Sequence, residues 1–218
     1  MKLCVTNLTK LLCFLLAILA MPSGAARAQD PGPPGKYDYY LLTLSWSPEF
    51  CSIKGTSPQC AAHPGFIVHG LWPQNFDGTY PASCDPSRPG PAHPEQNMDI
   101  TPDASLLQHE WAKHGTCTTF VPDAFFALER SAFHSVAIPP FFAKLDHEVE
   151  VKTNEIATMF SEANPAFPAG SVVVSCSEGR LSAVEVCLAK DGLAPIACRG
   201  VELGCHAQQI RVLPEVAK

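Results

Sequence analysis

Residues 172–188 read VVVSCSEGRLSAVEVCL, two short runs rich in Val, Ala and Cys joined through Glu178-Gly179. A polar-Gly pair between β-prone runs signals a tight turn, so 172–176 and 181–188 are predicted to be neighbouring antiparallel strands. A third run, 195–198, follows Asp191-Gly192 and is predicted to add another. Toward the N-terminus, 37–46 has Tyr, Leu and Thr at strand density, and 66–69 is a short β-branched run closing on His69. Gly70-Leu71-Trp72-Pro73 is then expected to turn the chain away, into a long Pro-, Asp- and Ser-rich loop over 74–102 that borders the site. Thr101-Pro102-Asp103 is a helix start, a hydroxyl cap before a proline and an acid, and predicts a helix over 104–113 that stops before Gly115. Two more helices are expected over 122–136, with Phe125, Leu128 and Ala132 on one face, and over 151–162. Strand, helices and strands in that order give an α+β fold: an antiparallel sheet with helices packed on one side. No internal repeat is evident.

Composition narrows the class. The 218 residues are 46% hydrophobic and 17% charged, which excludes disorder as the main state. The long apolar run, 11–21, falls short of the roughly 20 residues a membrane span needs. With Lys2 and Lys10 before it and Ala26-Arg27-Ala28 after it, residues 1–28 are expected to be a signal peptide. Residues 29–36, with three prolines and two glycines, are expected to be a flexible arm, and 37–218 a single catalytic domain. Losing Lys2, Lys10 and Arg27 takes the net charge from -6 to -9. An acidic chain with no basic block is not a dedicated nucleic-acid-binding module, but a local cationic cluster at a reaction centre remains open to it.

Ten cysteines are present, and Cys51, Cys60, Cys84, Cys117, Cys176, Cys187, Cys198 and Cys205 lie outside the expected signal. An even number in an exported chain reads as a disulfide framework, and eight cysteines allow 105 pairings that spacing does not choose among. No C-x-x-C occurs, which disfavours a zinc site.

Candidate chemistry sits in two segments. In the first, His69 ends an apolar strand beside Trp72, whose flat face suits stacking; a lone histidine there is more often structural. In the second, His109-Glu110-Trp111-Ala112-Lys113-His114, a helix puts Glu110 and His114 on one face and His109 and Lys113 on the adjacent stripe. His109 and His114 are five apart, about 140° round a helix, so they do not form the i, i+4 pair that holds zinc in zincins. No metal or other cofactor is expected. Two imidazoles with a lysine and a glutamate suit phosphodiester transfer, where one ring takes a proton, another gives one, and cations neutralise charge at phosphorus. RNA carries its own nucleophile, the 2′-OH, beside the scissile phosphate.

The segments FIVHGLWPQ (66–74) and HEWAKHGTC (109–117) resemble the two active-site segments of the ribonuclease T2 family, and YYLLTLSWSPEFC (39–51) is similar to its N-terminal strand. The likeness covers most of 37–205. It implies an endoribonuclease that cuts single-stranded RNA, not DNA, through a 2′,3′-cyclic phosphate to 3′-phosphate ends. In that scheme His114 is the general base, His69 the general acid, Glu110 and Lys113 stabilise the phosphorane, and His109 binds phosphate. It also implies the pairs Cys84–Cys117, Cys176–Cys205, Cys187–Cys198 and, by what remains, Cys51–Cys60. Ser45 stands where many relatives have Gln, and Gln74 where some have Asp, so Trp72 and Gln74 are expected to form a base-tolerant binding site. A secreted or periplasmic monomer is expected, without N-glycosylation, since no N-x-[ST] follows residue 28. A catalytically idle binding or storage protein on the same disulfide scaffold is the alternative, and the five intact site residues weigh against it.

Overall fold

The computed structural model describes residues 29–30, 32–61, 65–199 and 204–215; the expected signal segment 1–28 lies outside them. In chain order the elements are β1 (Gln29–Asp30), β2 (Tyr39–Trp46), α1 (Ser47–Ile53), α2 (Pro58–Ala61), β3 (Phe66–Gln74), β4 (Tyr80–Pro81), α3 (Ala104–Lys113), α4 (Pro122–His134), α5 (Pro140–Ala143), β5 (Val149–Lys152), α6 (Thr153–Ala163), β6 (Val172–Ser177), β7 (Arg180–Ala189) and β8 (Gln209–Val212). The main sheet runs β3-β2-β7-β8-β5, with β6 on β7. Within this sheet pairing is antiparallel except for a single parallel pair, Arg180↔Arg211, where β8 meets β7, and β1 and β4 form a separate parallel pair. The fold is α+β.

Strand β2 is central, and alternation along it sorts two layers. Tyr40, Leu42, Leu44 and Trp46 face one way, level with Leu188, Val186 and Val184 of β7. Against them pack Leu107 and Trp111 of α3, Phe125, Phe126 and Ala132 of α4, Phe142 of α5, and Ile156 and Phe160 of α6, so these four helices share one side of the sheet. Tyr39 and Leu41 face the other way, into a smaller cluster with Cys187, Trp72 and Ile196. The β6–β7 turn has positive φ at both Glu178 and Gly179, the geometry that joins two twisted strands in two residues.

Several boundaries differ from the sequence reading, each for a local reason. Strand β3 does not turn away after His69 but continues through Gly70-Leu71-Trp72-Pro73 to Gln74. It is an edge strand, and Pro73 lies two residues beyond Leu71, whose N–H points off the sheet, so the missing proline donor costs no ladder bond. Helix α3 is capped by Asp103, whose carboxylate accepts from the Ser105 and Leu106 amides; the Thr101 hydroxyl donates instead to the Val68 carbonyl of β3. The helix expected from 151 begins at Thr153, because Val149–Lys152 pairs with β8. Residues 195–198 form no strand. Pro195 makes one bridge with Leu188, and the Cys198 amide is drawn to the Gly170 carbonyl beside its disulfide partner Cys187. The expected arm is tied at its end, where the Gly35 amide donates to the Cys117 carbonyl and Lys190 Nζ donates to the Gly35 carbonyl.

Four disulfides close within the described residues: Cys51–Cys60, Cys84–Cys117, Cys176–Cys205 and Cys187–Cys198. Cys84–Cys117 spans 33 residues and pins the loop after β4 to the turn that follows α3. The double substitution Cys84→Ala/Cys117→Ala should lower unfolding free energy by about 3–4 kcal/mol, from loop-closure entropy alone. Urea unfolding gives the measurement; an unchanged midpoint would mean that the unfolded chain is already constrained there.

Candidate active site

The register of β2 against β3 runs Thr43↔Gly70 and then Leu44↔Val68, which leaves His69 as the extra residue of a β-bulge. A bulge re-aims the side chain it carries, and here it turns the imidazole off the regular alternation. His69 Nδ1 is 2.9 Å from the Ser45 hydroxyl and Nε2 is 3.5 Å from Glu110 Oε1. A proton on Nε2, facing the carboxylate, leaves Nδ1 to accept from Ser45 in the neutral ring and to donate to it in the imidazolium. His69 is 40% exposed, whereas Glu110 is 2% exposed.

Helix α3 brings the second segment to the edge of β3. Glu110 and the C-capping His114 lie one turn apart, as the helical repeat requires, and the His114 amide donates to the Glu110 carbonyl. Glu110 Oε2 accepts from Trp72 Nε1 at 2.6 Å and lies 3.9 Å from His114 Nε2. The His114 ring stacks on the Trp72 indole, centroids 5.1 Å apart and planes 21° off parallel, and the His69 ring meets the indole edge-on. Gly70 makes this approach possible: a Cβ there would collide with Glu110 Oε2 and Trp72 Nε1.

The electrostatics follow from this packing. Burial alone would raise the Glu110 carboxyl, but the contact with His69, the charge of the two imidazoles and the Trp72 N–H outweigh it and hold the group below the ordinary carboxylate range. His114 moves the other way. Burial pushes its imidazole down to about 3, against the pull of Glu110 and with Lys113, His109 and His69 opposing a further charge. His114 is therefore neutral above that value and sets no positive charge against Glu110 near neutrality.

Not every expected residue joins this cluster. His109 is exposed and, with His69, Ser45, Phe50 and Leu106, lines a pocket of about 380 Å³. Lys113 is half-buried in the last turn of α3 and acts on His114 through its charge. Gln74 departs from expectation. It is 5% exposed, stands opposite Tyr39 at the far end of β3, and does not line the pocket beside His69. Five residues of extended chain separate it from His69, roughly 17 Å. Trp72 has its N–H and one face committed to Glu110 and His114 rather than open to a base. Glu110 faces the two histidines and the indole, not the pocket. Among the described residues, no group of three or more His, Cys, Asp or Glu side chains is placed to hold a metal ion.

Two carboxyl groups near the cluster were not singled out from the sequence. Glu185 of β7 is level with Thr43, accepts from the Ser175 hydroxyl, and is pushed up by burial while the charge of His69 pulls it down. Glu129 of α4 accepts from the Leu71 amide of β3 at 3.1 Å. The signal for Glu129 is in the sequence: it stands four residues after Phe125 and three before Ala132, on the stripe expected to be apolar.

A carboxylate lies between two imidazoles, one open to a pocket and one closed, on a disulfide-braced α+β fold, and such a set can carry acid–base chemistry of the kind used in phosphodiester transfer. The chain belongs to the ribonuclease T2 family, whose model matches residues 37–198. A ribonuclease of Aeromonas hydrophila is 40% identical over 129 residues, a match covering 59% of this chain and 56% of that protein, so the chain spans little more than half of that relative. Ribonuclease DdI of Dictyostelium discoideum is 29% identical over 218 residues, covering 87% and 92%. Among solved structures, an RNase-related protein from Calystegia sepium superposes with a TM-score of 0.67 at 23% identity, over 82% of this chain and 97% of its own.

The site generates two stability predictions. In the unfolded chain His114 binds its proton near the ordinary 6.5, and in the native fold only near 3. Between those values the unfolded state holds the extra proton, so the stability associated with the neutral buried ring is complete above about pH 6.5 and is lost as pH falls toward 3. Unfolding free energies from urea titrations between pH 7 and pH 4 should fall for the wild type, by up to about 1.4 kcal/mol per pH unit, and clearly less for His114→Phe, which keeps a ring on Trp72 but takes no proton. Parallel curves would show that the fold leaves the affinity of this imidazole for its proton unchanged. Gly70→Ala should cost about 1–3 kcal/mol by overpacking against Glu110, measurable in the same assay at pH 7.

Proposed function

We propose that this chain is an endoribonuclease that cleaves single-stranded RNA by metal-independent transesterification. The observation that carries the reading is the Glu110 carboxylate lying 3.5 Å from His69 and 3.9 Å from His114, with His69 open to a pocket. His69, protonated and paired with Glu110, is the general acid that delivers a proton to the leaving 5′-oxygen. His114, kept neutral by burial, is the general base for the 2′-OH, and the Trp72 ring stacked on it must shift for the nucleophile to reach it. Attack of the 2′-oxygen on phosphorus expels the 5′-oxygen and leaves a 2′,3′-cyclic phosphate, which water opens to a 3′-phosphate with the roles of the two rings exchanged. Lys113 and His109 neutralise the non-bridging oxygens, and the pocket beside His69 takes the nucleotide on the leaving side. The pocket's other polar side chains, Ser45, Gln59, Asp103 and Ser105, are already hydrogen-bonded within the protein, so base preference is weak. The protein works as a monomer outside the cytoplasm: its eight paired cysteines suit an oxidising compartment, and among the described residues no helix is long and apolar enough to cross a membrane.

One observation favours a second assignment. His109 and His69 line the same pocket while His114 is 3% exposed, so His109 could take the base role with His114 as structural support for Glu110. His69→Ala should lower kcat by about 100- to 10,000-fold in either scheme. His114→Ala should match it in the first and His109→Ala in the second, and comparable activity in all three variants would dismiss both.

Cleavage of a homopolymeric RNA should persist in excess EDTA, with DNA left intact for want of an internal nucleophile. Loss of activity on chelation would overturn the reading. Because His114 stays neutral to about 3, kcat/KM should keep its plateau well below pH 6 on the acid side and fall on the alkaline side as the general acid deprotonates. A rate that climbs steadily with pH would point to hydroxide instead.

A further inference from the structure

Strand β3 carries His69 and Trp72, and as an edge strand it has backbone donors on its outer side that no neighbouring strand can satisfy. The Val68 amide donates to the Ile100 carbonyl. The Leu71 amide, one residue before the indole and two after the bulged histidine, points into the protein interior and meets Glu129 Oε2 at 3.1 Å. Glu129 is 1% exposed, on the buried stripe of α4 between Phe125 and Ala132. A carboxyl in such a place is costly, and a leucine would pack there with less penalty. What it supplies is an acceptor for one amide of the catalytic strand.

We infer that Glu129 is a positioning residue for the cleavage site: by accepting from the Leu71 amide it fixes the path of His69–Trp72, and through Trp72 Nε1 the place of Glu110. This rests on the proposed ribonuclease reading for its consequence in rate, but not for the linkage itself. The groups facing Glu129 are few. From α3 comes the charge of Glu110, from β3 the Leu71 N–H, and from α4 itself the neighbouring Arg130, whose guanidinium is held by Asp99 Oδ1 and Oδ2 at 2.6 and 2.8 Å. Burial, with Glu110 adding to it, pushes the Glu129 carboxyl up to about 8, while the Leu71 amide and Arg130 pull it down. The folded protein therefore binds this proton more tightly than the unfolded chain. The stability due to the neutral carboxyl is complete below about pH 4.5 and is lost as pH rises toward 8.

The test compares Glu129→Gln, whose amide oxygen still accepts from Leu71 without titrating, with Glu129→Leu, which keeps bulk and removes the acceptor. At pH 6, on a dinucleoside phosphate, Glu129→Gln should keep kcat within about threefold. Glu129→Leu should lose about 10- to 100-fold in kcat with KM within about twofold, the signature of a displaced reacting group rather than a lost binding contact. Wild-type kcat in Glu129→Leu would overturn the inference. So would equal losses in both variants that track their melting temperatures, since a purely structural residue behaves that way. The Leu71 amide shift, followed by NMR from pH 4 to pH 9, should titrate in the wild type and stay flat in Glu129→Gln; a wild-type curve flat over that whole range also overturns it. This last measurement needs no turnover and decides the matter if Glu129→Leu does not fold. A wild type that titrates at Leu71 but leaves RNA uncut would refute the ribonuclease reading and keep the linkage.

Discussion

A carboxylate that is 2% exposed stays charged only when donors surround it, and most of the site's geometry answers that demand by Glu110. The indole of Trp72 turns its N–H inward to reach it, and this sets the plane on which His114 lies. His69 leans from its bulge toward the other oxygen, held from behind by Ser45. The strand can carry no side chain where the carboxylate crosses it, so Gly70 stands there. One buried charge thus fixes four neighbours.

Placing that charge against an edge strand solves one problem and raises another. An edge leaves His69 reachable from solvent, but it also leaves main-chain groups without a ladder. The structure meets each with a different element. Ile100 accepts from Val68, the Thr101 hydroxyl serves the Val68 carbonyl, Glu129 takes the Leu71 amide, and Pro73 has no amide to satisfy. Arg130 in turn clamps the 96–99 segment that leads into Ile100. The outer side of β3 is closed by polar bonds from a loop and a helix, where an interior strand would use a neighbour.

The class of the fold and its middle helices were legible because periodicity reports burial directly. Phe125 and Ala132 mark the inner face of α4, and 172–188 announces its own hairpin. The Glu110–His114 spacing was legible for the same reason, since a helix converts four residues into one face. The bulge at His69 was not. It arises from a one-residue mismatch between β2 and β3, two segments whose register is fixed in three dimensions and by no local signal. Gln74, singled out through the family resemblance, stands apart from the pocket beside His69, because an extended strand carries the chain away at about 3.3 Å per residue. Helix α1 went unread although Ser47-Pro48-Glu49 opens it with the same hydroxyl, proline and acid as Thr101-Pro102-Asp103. The disulfide pairing came from resemblance, for nothing in the spacing of eight cysteines selects one arrangement.

The central position of β2 has a consequence for the chain as it is made. Its two neighbours are far apart in sequence: β3 ends at Gln74, but β7 is complete only at Ala189. At translation rates of about 5–20 residues per second, β2 and β3 can zip together, bulge included, and then wait roughly 6–23 s before the other side of β2 finds its partner. During that interval Tyr39 to Trp46, almost wholly apolar, presents an open edge of the kind that recruits foreign strands. An edge open for that long can pair with foreign strands unless something shields it, so the order of assembly carries a hazard that the finished fold does not show.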